Sequence, residues 1–212
     1  MAYQGQGEVA AVAEEGFDLG NAEDVHTAFH AIRDPADAAV PGNPIASRVL
    51  AVLGAPGSDL RDKDGHGTLV AGILLGDSEL GEGIECARGS APRAKLVVQA
   101  FMAPDANELT DLLRAAYTGY SARVTNISQG VGFDNDLGQG TYDSGGLARA
   151  CDAYVRLNWD LVIVAAAGNE GHKISDNGAH ICGLQSAKNI ITVGATQSSR
   201  PNGHPDVMYR LQ

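Results

Sequence analysis

Short apolar runs alternate along this chain with stretches whose apolar residues recur every three or four positions. The runs predict buried strands, and the recurrent stretches predict helices. "EVAAVA" (8–13) reads as a first strand, followed by a polar loop and a helix around "AEDVHTAFHAI" (22–32). "DPADAAVPGNP" (34–44), rich in Pro and Asp, reads as a surface loop. "RVLAVLG" (48–54) reads as a second strand, "HGTLVAGILLG" (66–76) as a mostly buried helix, and "AKLVVQAF" (94–101) as a third strand. In "NELTDLLRAAYTGY" (107–120), Leu109, Leu112, Leu113 and Ala116 share one helix face. "RVTNIS" (123–128) is a fourth strand. "SGGLARACDAYVRLN" (144–158) is a helix, for which Asp143 or Ser144 offers an N-cap. "DLVIVAAAG" (160–168) and "NIITVGAT" (189–196) complete the strands.

Continuous apolar strands separated by helices predict an α/β fold, a doubly wound and mainly parallel sheet with helices on both faces. Sites in such folds gather at the carboxyl ends of the strands. With no internal repeat, low-complexity block or linker, residues 1–212 read as a single domain. The 27 Gly and 5% aromatics fit a chain of tight turns and close backbone approaches. A net charge of -11 disfavours nucleic acid and anionic membranes as partners, since both need clustered Lys and Arg. Cys86, Cys151 and Cys182 lack a CxxC spacing and are odd in number, so they form neither a disulfide framework nor a zinc site. No run reaches the roughly 18 apolar residues of a membrane span. "MAYQGQGEVAAVAEEGFD" has neither the basic start nor the clean apolar run of a signal peptide.

Three segments carry candidate chemistry. "DGHGTLVAG" sets His66 between Gly65 and Gly67, which permit close backbone approach, at the start of a helix. A helix N-terminus disfavours an imidazolium, so a base placed there needs a carboxylate to orient it and stabilise its charged form. "AAVAEEGFD" ends the first strand in Glu14 and Glu15, where such a carboxylate belongs. "VAAAGNEG" ends another in Gly168-Asn169-Glu170-Gly171, and an Asn side chain there can donate to a developing oxyanion.

Together these segments resemble the subtilisin-like serine proteases, the subtilases. "DGHGTLVAG" is similar to the family's HGTxVAG motif and "AAAGNEG" to its oxyanion Asn motif. "GQGEVAAVAEEGFDLG" resembles the strand that carries its Asp, usually VAVxDTG. "TNISQG" resembles its substrate-binding strand, and "SAKNIITVGAT" the strand after the Asn segment. The likeness covers nearly all of residues 5–201, with a spacing similar to that of the high-molecular-weight subtilases. It implies endopeptidase ancestry, His66 as general base, Glu14 in the slot of the Asp, and Asn169 as oxyanion donor. It also implies a peptide or protein substrate bound as an added strand along Ser128-Gln129-Gly130, with the first side-chain pocket near Ala166-Ala167-Gly168. Secretion follows from the resemblance as well. Calcium sites are common in the family, but no acidic cluster here has an assignable loop spacing, and Asp18, Asp24 and the acids of 62–64 read as solvated loop residues.

The chain departs from the family pattern in several places. Glu14 adds a methylene to the expected Asp, and a misplacement of about 1 Å in such a group costs on the order of a hundredfold in rate. An alternative alignment through "RVLAVLGAPG" puts Gly54 in the carboxylate slot; the "GFDLG" after Glu14 favours Glu14. The usual HGTH is HGTL, and Ser128-Gln129-Gly130 sets a polar amide beside the substrate groove. The nucleophile motif GTSxAxP does not occur in the 212 residues, and Asp143-Ser144-Gly145-Gly146 belongs to no antiparallel barrel that would make it one. "GHPDVMYRLQ" resembles the KPDVxAPG segment that precedes the Ser helix, but follows "ITVGAT" at once and breaks off at Tyr209. The expectation is therefore a subtilase-like peptidase domain whose C-terminal part, including the Ser helix, is missing. Such a chain is inactive as it stands. It serves as a pseudo-protease that binds peptides or regulates, or it is a truncated product of a gene model with no function of its own.

Overall fold

The computed structural model describes residues 3–30, 47–78, 87–100, 105–129, 133–134, 139–140, 146–169, 181 and 183–195. They belong to two compact units, Met1–Met102 with Asp111–Ile127, and Ala103–Thr110 with Ser128–Gln212.

The first unit holds β1 (Val9–Glu14), β2 (Val49–Leu53), α1 (His66–Leu75), the short hairpin β3 (Asp77–Ser78) and β4 (Ala87–Arg88), β5 (Lys95–Ala100), and β6 (Val124–Ile127). Helix α2 (Ala106–Arg114) begins in the second unit, ends in the first, and runs on into a π-turn, Ala115–Gly119. Strands β6, β1, β5 and β2 pair in that order, all parallel. In the two inner strands, β1 and β5, Ala10 to Ala13 and Leu96 to Val98 are buried on both sides, as parallel strands require. On one face Ala10, Val12, Leu96 and Val98 pack with Ala71 and Leu75 of α1, under Phe17 and Phe29, whose rings meet edge to face at 4.9 Å. On the other, Ala11, Ala51 and Val97 pack with Ala116 and Ala122. Helical structure thus covers both faces, as the alternating pattern predicts.

The segment 22–32 differs from expectation. Within its described part the chain forms only a 3-10 turn, Thr27–Phe29. Side chains have taken the backbone donors a helix would use. Asn21 Oδ1 accepts from the N–H groups of Glu23 and Asp24, Asp18 Oδ2 from His26, and His26 Nδ1 from Ala28. Helix α1 differs too, since Leu69 and Ile73 lie exposed on its outer side. Arg48 is buried just before β2. Its guanidinium donates to the carbonyls of Ala28, His30, Leu75 and Ala94 at 2.7–3.1 Å.

The second unit contains the two-residue strands β7 (Phe133–Asp134) and β8 (Gln139–Gly140), α3 (Leu147–Leu157), β9 (Val162–Ala166) and β10 (Ile191–Val193). Strands β9 and β10 pair in parallel, with Val164 opposite Ile191 and Ala166 opposite Val193. Asp152 of α3 ties the segment before β10 to the helix, its Oδ1 accepting the N–H groups of Lys188 and Asn189 at 2.8 Å each. Buried Cys151 shares that helix. The α3 N-cap is Gly146, in a left-handed conformation and without a side-chain cap. The expected caps Asp143 and Ser144 lie outside the described residues. Among the described residues no helix is long and apolar enough to cross a membrane.

Candidate functional site

The pleat of β1 decides where Glu14 points. Ala10 and Val12 face α1, so two residues on, Glu14 faces it as well. Its carboxylate is fully buried, and its Oε2 lies 2.9 Å from His66 Nδ1. His66 is the first residue of α1, and its side chain is 46% exposed. An ionised carboxylate only accepts, so the Nδ1–H donates and Nε2 is left as the ring atom that can take up a proton.

Two glycines bring the strand end and the helix start together, in different ways. At Gly67 a Cβ would meet the Gly16 carbonyl oxygen at 2.1 Å and the Glu14 Cβ at 3.0 Å. At Gly65 nothing lies within 4 Å, but φ is +86°, the left-handed turn that leads into α1. Gly54, at the end of β2, lies against Leu60 and Ser58.

The loop before α1 is bound into the same assembly. Asp62 Oδ1 accepts the Gly65 N–H at 2.9 Å, and its Oδ2 accepts the N–H and hydroxyl of Thr68 at 2.7 and 2.6 Å. The Thr68 hydroxyl in turn accepts the Asp18 N–H at 2.9 Å. Asp62 is therefore a helix cap, not the solvated acid the loop composition suggests. The available clue was positional, because an Asp just ahead of a helix start is a ready acceptor for the free N–H groups of its first turn. Partial burial alone raises the Asp62 carboxyl, but the hydrogen bonds from Thr68 and Gly65, with Asp64 alongside, carry it below the ordinary carboxylate range. Asp64 Oδ1 accepts the His66 N–H at 3.0 Å. Glu15 is shifted upward, by partial burial and then by the charge of Asp64 and a hydrogen bond with it, while nearby His66 pulls the other way.

The other candidate residues fall in the second unit. Ser128 and Gln129 are half-buried just after β6, and the Gln129 carbonyl accepts from Gln185 Nε2 at 2.9 Å. Gln185 is buried, and its own carbonyl accepts the Thr192 hydroxyl at 2.7 Å. Gly130 lies outside the described residues. Ala166 closes β9, the Ala167 N–H continues the ladder to the Val193 carbonyl at 2.8 Å, and Gly168 turns with φ +100° into exposed Asn169. Among the described residues no group of three or more His, Cys, Asp or Glu side chains is placed to hold a metal ion.

A buried carboxylate at a strand end, hydrogen-bonded to a histidine that opens the facing helix, is an arrangement suited to a general base. The sequence model of the subtilase family, peptidase S8, matches residues 5–206, and the chain belongs to that family. Two solved proteases are similar to it. The crystal structure of MycP1 with its N-terminal propeptide removed is 24% identical, covers 82% of this chain and 47% of its own, and superposes with a TM-score of 0.49. The psychrophilic subtilisin-like protease Apa1 from the Antarctic psychrotroph Pseudoalteromonas sp. AS-11 is 16% identical, with coverages of 88% and 36% and a TM-score of 0.48. The chain thus spans less than half the length of either. No curated protein matches it.

Proposed function

We propose that this chain carries the acid–base part of a serine endopeptidase site, with His66 as general base and Glu14 as the carboxylate that orients it. The 2.9 Å hydrogen bond between Glu14 Oε2 and His66 Nδ1 is the observation that supports this most directly. It fixes the tautomer and leaves Nε2 to withdraw a proton from an attacking hydroxyl or water. Asn169 would donate to the oxyanion, and Ser128, Gln129 and Gly130 would pair with an extended peptide. Ala166, Ala167 and Gly168 would border the first side-chain pocket. The family match runs through both compact units, which supports reading them as parts of one peptidase domain.

Within these 212 residues there is no GTSxAxP nucleophile, so the chemistry open to this chain alone is slow attack by water on an activated substrate. The same observation, with Glu in the slot of the Asp, favours a second reading, a pseudo-protease that binds peptides without cleaving them. Both are tested on the purified chain with a fluorophosphonate, read by intact mass, and with an activated peptide ester. The expected result is no adduct, together with a weak ester hydrolysis that His66→Ala abolishes. A rate indifferent to His66→Ala would overturn the general-base role. A stoichiometric adduct lost in His66→Ala would reveal a serine nucleophile outside the family motif. Peptide binding with no hydrolysis would favour the pseudo-protease.

A further inference from the structure

We propose that Asp62 is a positioning residue for the Glu14–His66 pair, acting through Thr68 to join the segment that follows Glu14 to the helix turn that carries His66. It deepens the reading of His66 as general base and depends on it. Thr68 lies two residues after His66, and Asp18 four after Glu14. The Thr68 hydroxyl has one proton, which it gives to Asp62 Oδ2, so its lone pairs face the Asp18 N–H. The Asp62 N–H closes the ring by donating to the Asp18 carbonyl at 3.1 Å. Both carboxylate oxygens are occupied, Oδ1 by Gly65 and Oδ2 twice by Thr68.

Only a carboxylate meets that demand. An asparagine offers one acceptor oxygen, so its amide group would have to confront either the Gly65 N–H or the Thr68 N–H. The charge matters as well as the shape. Through its bonds to the Gly65 and Thr68 N–H groups, the Asp62 carboxylate also sets a negative charge against the positive end of α1.

The test is proton NMR of the full chain, following the His66 Nδ1–H resonance, shifted downfield by the bond to Glu14 and identified by its absence in His66→Ala. Asp62→Asn and Thr68→Val should lose this resonance, whereas Thr68→Ser, which keeps the hydroxyl, should retain it. Asp59→Asn, which breaks an exposed ion pair with Arg61 in the same loop, should also retain it. Folded Asp62→Asn and Thr68→Val proteins that keep the resonance would overturn the role of Asp62 and leave the Glu14–His66 pairing intact. If Asp62→Asn does not fold, the contrast between Thr68→Val and Thr68→Ser decides. A wild-type chain without the resonance would overturn the pairing, and with it the role of Asp62.

Discussion

The carbonyl oxygen of Gly16 occupies the space that a Cβ on Gly67 would need, 2.1 Å away. The start of α1 and the end of β1 therefore meet backbone to backbone, and that closeness lets Glu14 reach His66. Gly67→Ala places a methyl group against main chain, which cannot rotate aside, so the helix must move. The expected cost is about 2–3 kcal/mol, the upper end of overpacking. Urea unfolding should show it, with loss of the His66 Nδ1–H resonance in the folded variant. Gly65→Ala meets no atom and strains only the left-handed backbone, so it should cost about 1 kcal/mol.

Arg48 is predicted to be among the most sensitive positions in the first unit. Its four carbonyl acceptors come from the 3-10 turn, the residue after it, the end of α1 and the residue before β5. Leu75 is the last residue of α1, so the cation also meets the negative end of that helix. Removing the guanidinium leaves several buried carbonyls unmet, each at about 1–3 kcal/mol. Arg48→Met should lower the chain's stability by at least about 3 kcal/mol. Arg48→Lys, a point donor in place of a fork, should recover only part of this in the same unfolding measurement.

Asp62 and Glu15 should give pH dependences of opposite sign. The folded Asp62 value lies below the ordinary one, so its contribution is complete above about pH 3.9 and fades as pH falls through the folded value. Asp62→Asn should be less stable at pH 7 by about 1 kcal/mol, a typical cap, and the gap should close in acid. The folded Glu15 value lies above the ordinary one, so the folded state holds that proton longer and is penalised by its loss. Glu15→Gln should equal the wild type in acid, and become the more stable as pH rises from about 4.3 through the folded value. Thermal unfolding across pH 3–8 separates the two.

Much of this architecture was legible because β1, β2, β5, β9 and β10 are continuous apolar runs, and α2 and α3 have clear helical periodicity. The placing of Glu14 at a strand end and His66 at a helix start was legible for the same reason. The helix expected near residues 22–32 was not, since Asn21, Asp18 and His26 compete for its backbone donors through contacts that a periodicity count ignores. The two-residue hairpins are too short to leave a pattern. Arg48 looks like an ordinary charged residue until the turns around it supply four carbonyls. The Asp18–Thr68–Asp62 ring joins residues 50 and 6 positions apart, which only the folded loop brings together.

Among the described residues of the second unit, one strand face is half exposed. Val164 and Ile191 stand opposite each other, as do Ala166 and Val193, and Val162 continues the row. On that face Val162, Ile191 and Val193 are 41%, 54% and 50% exposed, while Ile163 and Ala165 on the reverse are buried. Parallel strands are normally covered on both sides, so this surface should bind an apolar dye such as ANS while the chain is folded. Replacing Ile191 and Val193 together with Thr should largely abolish the dye signal and improve solubility. Stability should change by no more than about 0.5 kcal/mol per site, because these side chains are already half in water. Ile163→Thr, on the covered side, should instead cost more than about 1 kcal/mol and leave the dye signal in place. A folded wild-type chain that binds no dye would mean that something covers the face in solution, and sedimentation would then show whether that cover is a second copy of the chain.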